Sequence, residues 1–172
     1  MAKVPLSPEV EADVKRRANV FGIVLGLVCI PTAFLGGMIG ACCPMGSFIG
    51  VVPVAFWAGW AGFLAAMFLD WGRIGHEQAI EVGARVGLRT GLISSMIGAG
   101  STFLVATLFA GAVGGTGAAI GAAEGQQGAG AGGAAFFGAS VLLNLVVAVL
   151  SLIPGAVFGT IGGVFGAAIK RK

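Results

Sequence analysis

The stretch from Ala134 to Ile169 contains no charged residue and is apolar almost throughout. It is longer than the about 20 residues that one crossing of a bilayer core requires. Of the 172 residues of the chain, 57% are hydrophobic and only 10% are charged, whereas an average soluble domain is about 25% charged. These features predict an all-α integral membrane protein.

The ten Lys and Arg residues fall before Asn19, between Asp70 and Thr90, and at 170–172. If four helices separate these clusters, the positive-inside rule predicts that both termini and the central connection are cytoplasmic. We therefore expect a multi-pass protein of the inner (cytoplasmic) membrane. The net charge of +3 is then explained by residues flanking the spans, so that no nucleic-acid partner is needed.

The predicted architecture is a four-helix membrane bundle made of two helical hairpins. Each hairpin is entered from the cytoplasm, and an amphipathic connector joins the two. The predicted segments are a cytoplasmic N-terminal segment at 1–18, a first transmembrane hairpin at 19–69, a connector at 70–90, a second transmembrane hairpin at 91–169 with a Gly/Ala-rich outer loop at 114–133, and a basic tail at 170–172.

Glycine and alanine recur every four residues along Pro154–Ala168, and small residues do so across the join between the connector and the third predicted span. Interior glycines weaken a helix in water by about 1 kcal/mol each relative to alanine, but in lipid they let two helix backbones approach closely. The sequence therefore predicts Gly-rich helix packing. The predicted packing residues are Gly155, Gly159, Gly163, Ala167, Gly83, Gly87, Gly91, Gly62 and Ala66.

The second and fourth predicted spans share a Pro/aromatic/Gly pattern. In this alignment Pro53 corresponds to Pro154 and Gly62 to Gly163. Spans one and three show a weaker match, in which Gly26 corresponds to Gly98. The pattern favours an internal duplication of one hairpin, although helices rich in glycine and alanine also align by chance.

Local signals mark the polar parts of the chain. Ser7 followed by Pro8 is typical of a helix start, which predicts a short surface helix leading into the first span. In the connector, Arg73 with Glu77 and Glu81 with Arg85 are oppositely charged pairs at helical i,i+4 spacing. The connector is expected to run directly into the third span.

The outer part of the second hairpin is rich in glycine and alanine and is followed by a long apolar run. Its first part can prolong the third helix, while 126–133 is predicted to be a flexible linker. Residues 134–147 exceed the length of one crossing, so they must tilt, fold back as a re-entrant piece, or project outward under cover of a partner.

Few residues are candidates for chemistry. No ionisable residue lies in the four predicted spans, where such groups usually mark function. His76 is the only histidine, so it cannot supply an ordinary zinc or bis-histidine haem site. Glu124 is predicted to be a solvated loop residue, or alternatively an ion-attracting group at a pore mouth. We predict no catalytic, cofactor-binding or metal-binding residue.

Cys42 raises an alternative, because the basic residues before Asn19, the apolar run and Cys42 together resemble a bacterial lipoprotein signal. The apolar run is longer than the 7–15 residues of a signal h-region, and a first transmembrane span is therefore the favoured interpretation.

Two functional classes fit this sequence. The first is a non-catalytic structural or accessory subunit that packs against other chains of a larger membrane complex, and the absence of buried charges favours it. The alternative is a homo-oligomeric channel or facilitator for a small solute or ion. Neither class is an enzyme, and both have the lipid bilayer as their surroundings.

Overall fold

The computed structural model describes residues 7–42, 51–75, 78–125 and 128–170 of the chain. These residues form four α-helices and contain no β-strand. The helices are α1 at Pro8–Cys42, α2 at Val51–Met67, α3 at Ala79–Ala123 and α4 at Ala129–Lys170. The all-α class predicted from the sequence is confirmed.

Three of the four helices are long and apolar enough to cross a membrane, namely α1, α3 and α4. The described part of α2 has 17 residues and is shorter than the about 20 that a crossing requires. The predicted start of this span, at Ser47, lies outside the described residues. The lengths of the described helices therefore support three of the four predicted membrane spans.

The helices pack side by side in a defined order. α3 has its most extensive contacts with α4, α1 packs along α3, and α2 packs along α4. α2 also contacts both α1 and α3. Neighbouring contacts such as Gly22 with Ile93 and Gly26 with Ile97 show that α1 and α3 run in the same direction.

The first helix starts where the sequence predicts. The backbone N–H of Val10 donates to Ser7 Oγ at 3.4 Å, so Ser7 caps the helix. The predicted helix and the first span form one helix, because α1 continues without a break from Pro8 into the apolar run. Val10 and Val14 are buried in a cluster with residues from the end of α2, the turn that follows it and the start of α3. This burial fixes the polar start of α1 to the bundle. The other buried members of the cluster are Ala18, Ala65, Leu69, Ile74, Val82 and Val86.

The outer end of the second hairpin is more helical than predicted. α3 extends to Ala123, so the first part of the predicted loop at 114–133 does prolong the third helix, and α4 already begins at Ala129. The predicted linker is wrong from Ala129 onward. Residues 134–147 lie within the continuous α4, which excludes a re-entrant fold-back. Here close packing of glycine backbones outweighs the low intrinsic helix propensity of glycine. The long helical pair beyond Gly111 of α3 and before Ser140 of α4 is called the outer hairpin below.

A short 3-10 turn at Trp71–Arg73 connects α2 to α3. Asp70 caps this turn by accepting from Gly72 N, and the indole of Trp71 donates to the carbonyl of Ala66 at 2.9 Å. The predicted pair of Glu81 with Arg85 is confirmed at 2.8 Å. The other predicted pair, Arg73 with Glu77, lies partly outside the described residues.

Candidate helix-packing and lipid-facing surfaces

The structure brings glycines of α3 and α4 into backbone contact. A Cβ atom built on Gly159 would lie 2.6 Å from the carbonyl oxygen of Gly87 and 2.6 Å from Cα of Gly91. A Cβ on Gly83 would lie 2.7 Å from the carbonyl oxygen of Gly163 and 2.7 Å from the Cβ of Ala167. Real Cβ atoms do not approach other atoms so closely, so only glycine fits at these positions. We call this row of contacts the glycine ladder. It consists of Gly83, Gly87 and Gly91 on α3 and Gly155, Gly159, Gly163 and Ala167 on α4.

The same region of α4 also contacts α2. Gly62 lies against the backbone of Gly159, which therefore touches two helices. A Cβ on Gly166 would be 2.9 Å from the Cβ of Ala66 and 2.7 Å from the carbonyl oxygen of Phe63. All nine residues that the sequence predicts for helix packing thus lie at contacts between helices.

Sequence reasoning missed several other glycines that lie at contacts between helices. On the α2–α4 contact these are Gly59, Gly162 and Gly166, and on the α1–α3 contact they are Gly22 and Gly26. Gly162 and Gly166 are spaced four residues apart, like the predicted set. They lie on a neighbouring face of α4, so a search for two glycine faces on this helix would have found them.

Hydroxyl side chains in membrane helices can form hydrogen bonds between helices, but three of them here bond within their own helix. Thr102 donates to the carbonyl of Gly98 at 2.9 Å, Thr160 to Ala156 at 2.7 Å and Ser151 to Ala148 at 2.7 Å. Each of these bonds stays within one helix. The reason is that a carbonyl one turn earlier is within reach of a helical hydroxyl.

Ser95 is an exception among the buried hydroxyls. Its oxygen has no hydrogen-bond partner within the described residues, and the same holds for Ser94 and Thr107. Ser95 is fully buried and lies directly against Gly155 at the outer end of the glycine ladder. Small size, rather than hydrogen bonding, therefore explains a serine at this position.

We expect Ser95→Ala to stabilise the protein by about 1 kcal/mol, because it removes an unpaired buried hydroxyl without opening a large cavity. Thr90→Val is the control, since the Thr90 hydroxyl donates to the carbonyl of Val86 at 2.7 Å. That variant is expected to lose about 1 kcal/mol. Unfolding in detergent measures both changes. Equal destabilisation by the two substitutions would contradict this account of Ser95.

Charged residues concentrate at one end of the bundle. Arg17 forms an ion pair with Asp13 at 2.9 Å and donates to the backbone carbonyl of Phe68. Arg73 pairs with Asp70 at 3.2 Å. These contacts tie the start of α1 to the turn between α2 and α3.

Arg89 donates to Asn19 at 3.0 Å and joins α1 to α3 at the same charged end. The carbonyl of Phe68 and the amide of Asn19 are thus specific partners for Arg17 and Arg89. The sequence did not predict either contact.

An open groove of 640 Å³ lies between α2 and α4 and is lined almost entirely by apolar atoms. One wall consists of Phe56, Trp60 and Phe63, and the opposite wall includes Phe158 and Phe165. We call it the aromatic groove. The glycines Gly59 and Gly162, whose backbones touch, lie between the two walls. The remaining lining residues are Val51, Val52, Ala55, Pro154 and Ile161.

The outer hairpin contains a second kind of glycine. A Cβ on Gly115, Gly117, Gly130, Gly132 or Gly138 would meet nothing within 4 Å. On the inner side of the same hairpin, Gly133 lies against Gly114 and Ala118. The outer hairpin is thus packed on one side, while its opposite side is a surface of small residues that the described chain leaves uncovered.

The remaining candidates for chemistry are isolated. No group of three or more His, Cys, Asp or Glu that could hold a metal occurs among the described residues. Glu124 is exposed at the end of α3, and Cys29 is a buried free thiol within α1. His76 lies outside the described residues, and the side chain of Cys42 is not described, so the predictions for them stay as they were.

Comparisons with protein-family models, curated proteins and solved structures give no match for this chain.

Proposed function

We propose that this chain is a non-catalytic structural or accessory subunit of a larger membrane complex. In this proposal it is an inner-membrane protein with both termini in the cytoplasm, and small-residue helix packing attaches it to its partner chains. The apolar parts of its helices contain no Asp, Glu, His, Lys or Arg, the residues that usually mark function inside a membrane.

The observation that carries the proposal is the uncovered glycine surface of the outer hairpin. Each glycine in a helix interior costs about 1 kcal/mol relative to alanine, and this cost is offset where backbones pack closely, as they do along the glycine ladder. At Gly130 and Gly138 no such contact exists within the described chain. A helix from another membrane protein would supply the missing contact.

The spacing supports a helical partner. Gly130, Ala134 and Gly138 are all exposed and follow one another at the four-residue spacing of a small-residue packing face. Exposed Leu142 is the next residue at the same spacing. The arrangement resembles the inner glycine ladder, in which the corresponding positions of α3 and α4 are in contact.

The interior supports a packed subunit better than a pore within one copy. The cavity bounded by α2, α3 and α4, which Asn144 and Ser151 help to line, measures about 10 Å³. This is at the lower limit of the space that one water molecule needs. A channel would therefore have to form between copies of the chain.

The proposal predicts that Gly138→Leu releases the chain from its partner complex without unfolding it. The leucine would project from the uncovered side of the outer hairpin and hold the partner backbone away, which we expect to weaken the association at least 10-fold. The measurement is native mass spectrometry of the complex extracted in mild detergent, with circular dichroism to verify the fold.

Gly100→Leu is the matched control, because Gly100 is also a helical glycine with nothing within 4 Å of a Cβ but lies outside the outer hairpin. It should leave the mass of the complex unchanged. A chain that purifies as a homo-oligomer and makes liposomes permeable to a small solute would overturn the proposal in favour of the channel. An unchanged hetero-complex with Gly138→Leu would contradict the proposed surface.

A further inference from the structure

Two of the five arginines that the structure describes have no carboxylate partner there. These two are Arg16 and Arg89, both of which are exposed and form no ion pair with any described residue. The other three are paired with nearby acids, namely Arg17 with Asp13, Arg73 with Asp70 and Arg85 with Glu81. Arg16 and Arg89 therefore carry positive charges that the described chain leaves uncompensated.

Both arginines lie beside the contact between α1 and α3. The Nε–H of Arg89 donates to Oδ1 of Asn19 at 3.0 Å, and Arg16 lies one helical turn before Asn19 on α1. Residues three apart on a helix have Cβ atoms about 5–6 Å apart, so both long arginine side chains can reach one ligand. We call Arg16, Asn19 and Arg89 the basic seam.

Asn19 leaves the outer part of the Arg89 guanidinium available. The bond to Asn19 uses the Nε–H group, and the two terminal amino groups have no partner within the described residues. A guanidinium presents its donors in a fixed fork that matches the oxygens of a phosphate. The basic seam thus combines an oriented fork with a second uncompensated cation, which selects for a phosphate-bearing anion.

The basic seam lies at the boundary between charged and apolar residues. Arg89 is the last charged residue of α3, and no charged residue follows Arg17 in α1. The two helices are level here, because a Cβ on Gly22 would lie 3.2 Å from the carbonyl oxygen of Thr90. Basic residues at such a boundary meet the head groups of the bilayer. The anion at the basic seam is therefore expected to belong to a lipid.

Beyond this boundary, the same faces of the two helices are apolar and exposed. Ile23 and Leu27 lie one and two turns beyond Asn19 and are 47% and 54% exposed. Met96 lies two turns beyond Arg89 and is 63% exposed. Residues at this spacing share one helix face. A lipid whose phosphate meets the basic seam would have its acyl chains along these side chains, whereas a free phosphate ion would leave them uncovered.

We propose that the basic seam binds one anionic phospholipid from the bilayer leaflet at the charged end of the bundle. The lipid phosphate accepts hydrogen bonds from the terminal amino groups of Arg89 and from Arg16. Its acyl chains lie along Ile23, Leu27 and Met96. This site does not depend on the partner complex proposed above, since it lies at the opposite end of α3 from the outer hairpin.

The test uses the full chain in a mild non-ionic detergent and native mass spectrometry. The probes are phosphatidylglycerol and a phosphatidylcholine with the same acyl chains, which both contain a phosphate but of which only the first has a net negative charge. We expect phosphatidylglycerol to saturate at one lipid per chain and to bind about 10-fold more tightly than phosphatidylcholine. Equal affinities, or lipid uptake without a first saturating site, would overturn the proposal.

Substitutions that each remove one positive charge locate the site. Arg16→Gln should weaken the binding of phosphatidylglycerol about fivefold, and Arg89→Gln, which also removes the fork, about 10-fold. Arg73→Gln is the control, because Arg73 lies at the same end but is paired with Asp70, and it should change the affinity less than about twofold.

Arg16→Gln breaks no contact within the described chain, which covers the case in which Arg89→Gln does not fold. Equal losses of affinity with Arg16→Gln and Arg73→Gln would show a general attraction to net charge and overturn the proposal.

Competition with inorganic phosphate, against chloride at equal ionic strength, distinguishes a lipid from a free anion. Phosphate lacks the acyl chains that contact Ile23 and Met96, so we expect it to leave the lipid bound. Displacement by phosphate but not by chloride would identify a free-anion site and overturn the proposal. Loss of a protein subunit, rather than of lipid, from the extracted complex of Arg16→Gln would identify a protein partner at the basic seam and would overturn it as well.

Discussion

Replacing Gly159 with alanine is expected to destabilise the folded protein, whereas the same replacement at Gly100 is expected to stabilise it. A Cβ on Gly159 would lie 2.6 Å from the carbonyl oxygen of Gly87 and 2.6 Å from Cα of Gly91. Neither is the end of a flexible side chain, so whole helices must separate. We expect a loss of about 3 kcal/mol.

At Gly100 we expect alanine to raise the free energy of unfolding, because the added Cβ enters open space. Nothing lies within 4 Å of its Cβ position, and alanine favours a helix by up to about 1 kcal/mol over glycine. Unfolding in a titration with a denaturing detergent, followed by circular dichroism, measures both free energies. Changes of the same sign would show that helix propensity, rather than backbone contact, determines the role of Gly159.

Gly159 occupies the centre of the packing because it meets helices on two sides. It contacts Gly87 and Gly91 on α3, and it also lies against Gly62 on α2. The four-residue spacing of the sequence identifies a small-residue face on α4 but does not state which helix covers it. That information depends on the order in which the helices pack.

The same distinction explains which polar contacts could be predicted. Ser7 and the pair of Glu81 with Arg85 involve neighbours within one helix, so spacing alone determines them. Arg89 bonds to Asn19 on another helix, and no spacing rule connects two residues so far apart in the chain.

The sequence predicts a flexible linker at 126–133 because glycine-rich segments favour flexible structure in water. In the folded chain Gly133 packs on the backbone of Gly114, with a built Cβ only 2.7 Å from its carbonyl oxygen. This contact offsets the low helix propensity of glycine. Composition alone could not distinguish these outcomes, because the same glycines serve both a flexible linker and a close helix contact.

The sequence could not predict the aromatic groove, although it shows that the two segments forming its walls share a pattern. The recurring pattern around Pro53 and Pro154 drew attention to α2 and α4 as possible duplicates. It gave no reason to place the two segments next to each other. Their contact through Gly59 and Gly162 forms the groove, and the internal duplication stays a prediction.

Cysteine labelling of intact cells is expected to modify Ala123→Cys and to leave Gly75→Cys unmodified, in a background without Cys29, Cys42 and Cys43. Ala123 is the exposed last residue of α3, and Gly75 is exposed in the turn beyond α2. The two positions are joined by α3, which is 45 residues long. It spans about 67 Å, more than twice the thickness of a hydrocarbon core of about 30 Å.

The expected side for each position follows from charge. Arg73, Arg85 and Arg89 lie near Gly75, and the end of α3 near Ala123 carries no Lys or Arg. The positive-inside rule places the first end in the cytoplasm. Permeabilised cells are the control and should show labelling at both positions. Labelling of Gly75→Cys alone in intact cells would invert the topology. Labelling of both there would mean that α3 does not separate the two compartments.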